Sequence, residues 1–100
     1  MHLATEVALV AEVIVKLKVM PVSPDSDLAQ IEEFCRVKFT ESKAKFHSVT
    51  TEEVAFGLKA LVFVIFGDEK ILNVDILEAA IKENKNVSTT EVIDVRRAVG

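Results

Sequence analysis

The sequence predicts an α+β domain of ferredoxin-like arrangement: one four-stranded antiparallel sheet, two helices on one of its faces, and the chain order β-α-β-β-α-β. Three observations point there. Strict apolar alternation from Val13 to Val19 and a dense apolar run from Leu58 to Phe66 read as strands. Two stretches carry apolar residues at helical spacing, each behind a capping residue, Asp27 and Asn73. Val occurs sixteen times in 100 residues while Trp and Tyr are absent, a β-branched bias that favours strands around an aliphatic core.

The first strand sets Val13, Val15, Leu17 and Val19 on one face and Ile14, Lys16 and Lys18 on the other. Met20-Pro21-Val22-Ser23-Pro24-Asp25 then interrupts it, since proline donates no ladder hydrogen bond and restricts its predecessor. Asp27 with Gln30 has the spacing of a capping box, and Leu28, Ile31, Phe34/Cys35 and Phe39 form the apolar stripe of a helix from Asp27 to about Lys38. Lys43 to Val49 alternates again, with Lys43, Lys45 and His47 opposite Ala44 and Phe46. Thr50 to Glu53 reads as a loop or an irregular continuation. Leu58 to Phe66, bounded by Gly57 and Gly67 and carrying only Lys59 as a charge, suits a central strand. Gly67 to Lys70 is a turn. The second helix begins at Asn73, buries Val74, Leu77, Ala80 and Ile81, and ends in Lys82 and Lys85, cations that complement its dipole. Val87 to Val95 is the last strand, and Arg96-Arg97 follows it. Both βαβ crossovers are expected to be right-handed.

One hundred residues make one domain with a modest core, expected over 12–100, with 1–11 as an N-terminal extension partly continuous with the first strand. Half the chain is hydrophobic and Gly plus Pro total five, which excludes a disordered tail or a low-complexity linker. A single cysteine excludes a disulfide framework and suits a reducing interior. The net charge of −4 disfavours non-specific binding to nucleic acid or an anionic membrane. Met1 to Glu12 carries no Lys or Arg, and Glu6 interrupts it, so it does not read as a secretory signal, and the cytoplasm is the expected address.

Reactive chemistry is scarce. His2 and His47 are the only imidazoles, and no ligand spacing accompanies them or Cys35, so neither a metal nor another cofactor is expected. Cys35 lies on an apolar stripe with no base in view and reads as a small buried hydrophobe. The acidic pairs Glu32-Glu33, Glu52-Glu53 and Asp68-Glu69 are sequence neighbours, which point apart and do not converge on one centre. With only Gly57, Gly67 and Gly100, a phosphate-cradling loop has no material. The chain is not expected to be an enzyme.

Two local features stand out. In Ala55-Phe56-Gly57-Leu58-Lys59 an aromatic precedes a glycine where a polar segment enters the central strand; by composition alone Phe56 caps the core and Gly57 marks a bulge or a close approach. Arg96-Arg97 reads by composition as a solvated strand end. A weaker feature is the open face of the sheet, on which Lys16, Lys18, Lys45 and His47 are expected beside Leu61, Phe63 and Ile65; those apolar residues suggest a face covered by a partner or by the extension.

Val15-Lys16-Leu17-Lys18-Val19-Met20-Pro21, Ser23-Pro24-Asp25 before the first helix, Val54-Ala55-Phe56-Gly57-Leu58-Lys59-Ala60-Leu61 and Glu91-Val92-Ile93-Asp94-Val95-Arg96-Arg97 fall in the order seen in archaeal elongation factor 1-beta, a family the chain resembles from about Ala11 to Arg97. The resemblance implies a guanine nucleotide exchange factor that binds the GDP-bound GTPase elongation factor 1-alpha, disturbs its Mg²⁺ and phosphate-binding elements and so releases GDP. It also implies that Phe56 is the family's partner-facing aromatic, which reverses the composition reading. Gly57 then allows close approach and Lys59 adds charge complementarity. Eukaryotic relatives carry, near the last residue, a lysine that enters the partner's Mg²⁺ site; here the chain ends Ala98-Val99-Gly100, and Arg96 or Arg97 is the candidate cation. The segments Arg36 to Ser42 and Glu69 to Asn73 lack the glycine and proline punctuation of relatives, which tend to start near Val10.

Two other classes share the fold. A ligand-sensing regulatory domain wants a glycine-bearing loop after the first strand, where this chain has two prolines. An RNA-binding module wants a basic face with stacking aromatics, and the first strand offers none.

Overall fold

The computed structural model describes residues 11–98. The expected extension, apart from Ala11, and His2 lie outside the described residues. Six elements follow in the expected order: β1 (Glu12–Pro21), α1 (Leu28–Glu41), β2 (Lys45–Glu53), β3 (Lys59–Asp68), α2 (Val74–Lys82) and β4 (Val87–Ala98). They form one sheet of order β2-β3-β1-β4 with antiparallel neighbours throughout, the ferredoxin-like α+β arrangement. No helix among the described residues is long and apolar enough to cross a membrane.

The alternation of β1 translates directly into faces. Val15, Leu17 and Val19 are fully or almost fully buried and meet Ile31, Cys35 and Phe39 of α1 and Leu77 and Ile81 of α2. Asp27 caps α1, its carboxylate accepting from the backbone N–H of Ala29 at 3.1 Å and of Gln30 at 3.2 Å. The expected capping box is only half made. The Gln30 side chain turns outward, and its carbonyl accepts from the amides of Asn84 at 3.3 Å and Asn86 at 3.0 Å, tying α1 to the loop before β4. α1 runs past Lys38 to Glu41 because buried Phe39 belongs to its stripe. Lys43 then takes positive φ (64°), so β2 starts at Lys45 instead of Lys43.

β2 continues through Thr50 to Glu53, all paired with β3, so the polar segment is strand. A bulge at His47 separates the Phe46–Ile65 and Ser48–Val64 pairs, and it brings Phe46 and Val49 onto the same, core-facing side. The expected place of Leu61, Phe63 and Ile65 on the open face is corrected. All three are buried beneath the helices at 3%, 0% and 0% exposure. An unbroken apolar run has no alternation to reveal its inner face; the register with Val19, Leu17 and Val15 does so. The open face carries Val62, Val64 and Phe66 instead, between the Lys16/Lys18 and Lys45/Ser48/Thr50 positions of its neighbours. His47 joins that face, its ring 5.1 Å from that of Phe66.

Candidate functional site

The β2–β3 hairpin ends in a single 3-10 turn, Ala55–Gly57. Its base is closed by hydrogen bonds from the Val54 N–H to the Leu58 carbonyl (2.9 Å) and from the Leu58 N–H to the Ala55 carbonyl (3.3 Å). Two consecutive residues hold positive φ: Phe56 at 64° and Gly57 at 75°. For glycine this is free. For phenylalanine the left-handed region costs about 1–2 kcal/mol. A Cβ added at Gly57 would meet nothing within 4 Å, so the glycine serves the backbone angle and not a close internal approach.

The outcome is an aromatic ring on display. Phe56 is 92% exposed. It does not cap the core, which overturns the reading from composition. Strain and lost burial both oppose this conformation, and at 92% exposure the ring gains almost no packing among the described residues to offset them. Glu53 stands opposite Lys59 at the foot of the hairpin, and Lys18 reaches Glu52 at 3.5 Å, so both signs of charge stand below the turn. A recess of about 190 Å³ beside the turn, lined by Glu53, Val54, Gly57, Leu58 and Lys59, is smaller than the roughly 300–1,000 Å³ of small-molecule sites. The turn displays a ring and offers no cavity of small-molecule size beside it.

Phe56, Gly57 and Lys59 thus come together. Arg96 and Arg97 do not join them. Both lie within β4, not after it, opposite Ile14 and Val13 of β1, while the Phe56 turn projects beyond the Pro21 end of that strand. At about 3.3 Å per residue, the seven steps from Ile14 to Pro21 separate the two groups by roughly 23 Å. Arg96 is bound to Asp94 at 2.8 Å, and Arg97 donates to Glu69 at 2.8 and 3.3 Å, which raises the pKa of its guanidinium. Two residues beside these groups escape a reading by motif. Val22, 53% exposed, follows Pro21 at the Phe56 end, and its signal is an apolar residue set between two prolines. Glu69, which holds Arg97, has no signal short of the fold. Cys35 is fully buried, and burial first, then the nearby Glu32 charge, pushes its thiol up to about 12, which leaves it inert.

Residues 14–98 match the family described as EF-1 guanine nucleotide exchange domain. Among curated relatives, the chain is 34% identical over 85 residues to Elongation factor 1-beta from Methanococcus maripaludis, covering 85% of this chain and 96% of that protein. It is 37% identical over 87 residues to Elongation factor 1-beta from Methanothermobacter thermautotrophicus, covering 86% and 96% respectively. To the protein of the same name from Pyrococcus abyssi it is 38% identical over 82 residues, covering 81% and 89%.

Proposed function

The chain belongs to the EF-1 guanine nucleotide exchange domain family, and from that premise we propose that its activity is exerted through the Phe56 turn. Its role is that of a translation elongation factor 1-beta, which promotes nucleotide exchange on the GTPase elongation factor 1-alpha. In this reading the chain engages the GDP-bound GTPase directly, makes no contact with nucleic acid and works in the cytoplasm with the translation machinery.

The carrying observation is Phe56, 92% exposed on a backbone held at positive φ. A phenylalanine ring buries on the order of 150–250 Å², worth about 4–6 kcal/mol at ~25 cal/mol per Å². Coupling between two ligands of one protein is typically about 1–3 kcal/mol and is reciprocal. Seating the ring in the nucleotide-depleted GTPase therefore supplies enough to weaken GDP by the required factor. No covalent bond is made or broken. Gly57 holds the ring forward, Lys59 meets an acidic group beside the seat, and Arg96 or Arg97 offers a cation to a second area of the GTPase.

The test is release of a fluorescent GDP analogue from an archaeal elongation factor 1-alpha. Acceleration by the wild-type chain that falls by about thirtyfold or more in Phe56→Ala is the expected result, since a hot-spot truncation costs ~2 kcal/mol or more. Undiminished acceleration in that variant removes Phe56 from the site while leaving the exchange role intact. The Arg96→Ala/Arg97→Ala double variant tests the second contact, and unchanged exchange discards it.

A further inference from the structure

Among the described residues β4 is an edge of the sheet, paired only with β1, and its Ile93 and Val95 are 45% and 51% exposed. An open edge with exposed apolar side chains is a template for another strand. The strand also carries an irregularity that selects how it can be used. Lys16 sits opposite Asp94 and Leu17 opposite Val92, so Ile93 is an extra, unpaired residue. On the face away from the helices lie Glu91, Asp94 and Arg96, opposite Lys18, Lys16 and Ile14. On the helix side lie Val92 and Val95, opposite Leu17 and Val15.

Consider β4 paired antiparallel with its own copy about a twofold axis. Residues that face each other must share a side of the sheet. For registers that carry the pairing across Ile93, side and register agree when the axis passes next to that extra residue, either between Val92 and Ile93 or between Ile93 and Asp94. The first sets Glu91 against Asp94, two like charges directly opposite, which is destabilising. The second sets Glu91 against Arg96 and Val92 against Val95, each pair occurring twice by symmetry. We propose that β4 pairs antiparallel with β4 of a second copy of this chain in that second register, joining two sheets into one and matching Glu91 of each copy with Arg96 of the other. Arg96 is bound to Asp94 in the single chain, but both side chains are substantially exposed, so exchanging that partner for a cross-strand glutamate costs little.

The other edge is not equivalent. Centred on its own bulge at His47, β2 would set Phe46 against Val49 and Lys45 against Thr50, with no opposite charges facing, and Phe46 and Val49 already pack on the core. The proposal is independent of the Phe56 turn. It allots Arg96 to self-association and leaves Arg97, on the other side of β4, for any contact with the GTPase.

Sedimentation equilibrium from about 1 µM to 1 mM protein tests it, with circular dichroism confirming the fold of each variant. The wild-type chain is expected to form a dimer. Glu91→Arg and Arg96→Glu each loosen it by at least about tenfold, because every reversal makes two repulsive cross-strand pairs. The Glu91→Arg/Arg96→Glu double variant restores it. A wild-type chain that stays monomeric to 1 mM overturns the proposal. So does a dimer indifferent to the single reversals, or one that the double variant fails to restore.

Discussion

The rings of Phe39 and Phe63 meet edge to face, with centroids 5.0 Å apart and planes at 76°. Phe46 approaches the same Phe63 ring at 6.4 Å, so one side chain of β3 joins α1 to β2. Phe63 is fully buried, whereas Phe66 lies half-buried on the opposite face. Truncation of Phe63 to Ala should therefore cost about 3–5 kcal/mol, as large-to-small core changes do. Phe66→Ala should cost about half as much or less, since its ring already shares its surface with water. Urea unfolding of the two variants checks the assignment of faces, and equal losses would contradict it.

Gly57 and Phe56 occupy the left-handed region in succession, and only the glycine does so without strain. Space is not the constraint, since nothing stands within 4 Å of a Cβ at Gly57. Gly57→Val should thus destabilise by more than about 1 kcal/mol, while Gly57→Asn, a residue that tolerates positive φ, should cost less. Both should slow GDP release, in the same rank order, by moving the ring from its position. Exchange rates that rank the opposite way would separate the backbone angle from the activity.

Much of this architecture was legible in the chain. The alternation at Val13 to Val19, the caps Asp27 and Asn73 and the stripe through Ile31 and Cys35 need only local physics, and each reappears in place. What escaped depends on partners distant in sequence. Thr50 to Glu53 is polar and joins the sheet only because β3 offers it a ladder. The inner face of Leu61, Phe63 and Ile65 is chosen by the register with β1, and the bulges at His47 and Ile93 leave no compositional trace. Phe56 shows the same limit from the other side. Burial statistics place a phenylalanine inside, and only the motif carried by its neighbours argued for display. Arg96 and Arg97 were legible as a pair but not as residues pointing to opposite faces of an edge strand.

Asn84 is the one buried polar residue of the core region among the described residues, 7% exposed. Its Nδ2 donates to the Gln30 carbonyl at 3.3 Å, and its Oδ1 accepts from the Asn86 N–H at 2.9 Å. Replacing it with Leu leaves that N–H unpaired next to the core, for an expected loss of about 1–3 kcal/mol. Gln30→Ala should cost less, because Gln30 is exposed and water can take its place. The double variant should fall short of the sum of the two, as partners in one network do. Additive losses in thermal or urea unfolding would mean that the clasp does not act as a unit.

Close packing sets a tighter limit at Gly67, where an ideal Cβ would lie 2.7 Å from Leu72 Cδ2 and 3.0 Å from its Cβ. The far methyl can turn aside, but the Leu72 Cβ is fixed to the turn that leads into α2. Gly67→Ala should cost about 1–3 kcal/mol, the range for overpacking. Removing the Leu72 Cβ relieves the clash, so Gly67→Ala should be less harmful in a Leu72→Gly background than in the Leu72 chain. A Gly67→Ala penalty that is the same in both backgrounds would place its cause outside this contact.

Cys35 ties stability to alkaline pH. In the folded chain burial, aided by the charge of Glu32, moves its thiol from 9.0 to about 12. The unfolded chain ionises its thiol near 9.0, so above that pH the unfolded state sheds a proton that the folded state keeps. The contribution is whole below pH 9 and is progressively lost as the pH climbs toward 12. Wild-type urea midpoints should accordingly fall faster between pH 9 and 11 than those of Cys35→Ala, even though the variant starts lower for want of the buried sulfur. Taking the difference between the two proteins removes the lysine titrations they share. A thiol reagent at pH 8 should label the native protein only as fast as it opens, since a fully buried, protonated thiol is neither accessible nor nucleophilic. Parallel pH profiles, or prompt labelling of the folded chain, would show that Cys35 is less sheltered than its place between α1 and the sheet requires.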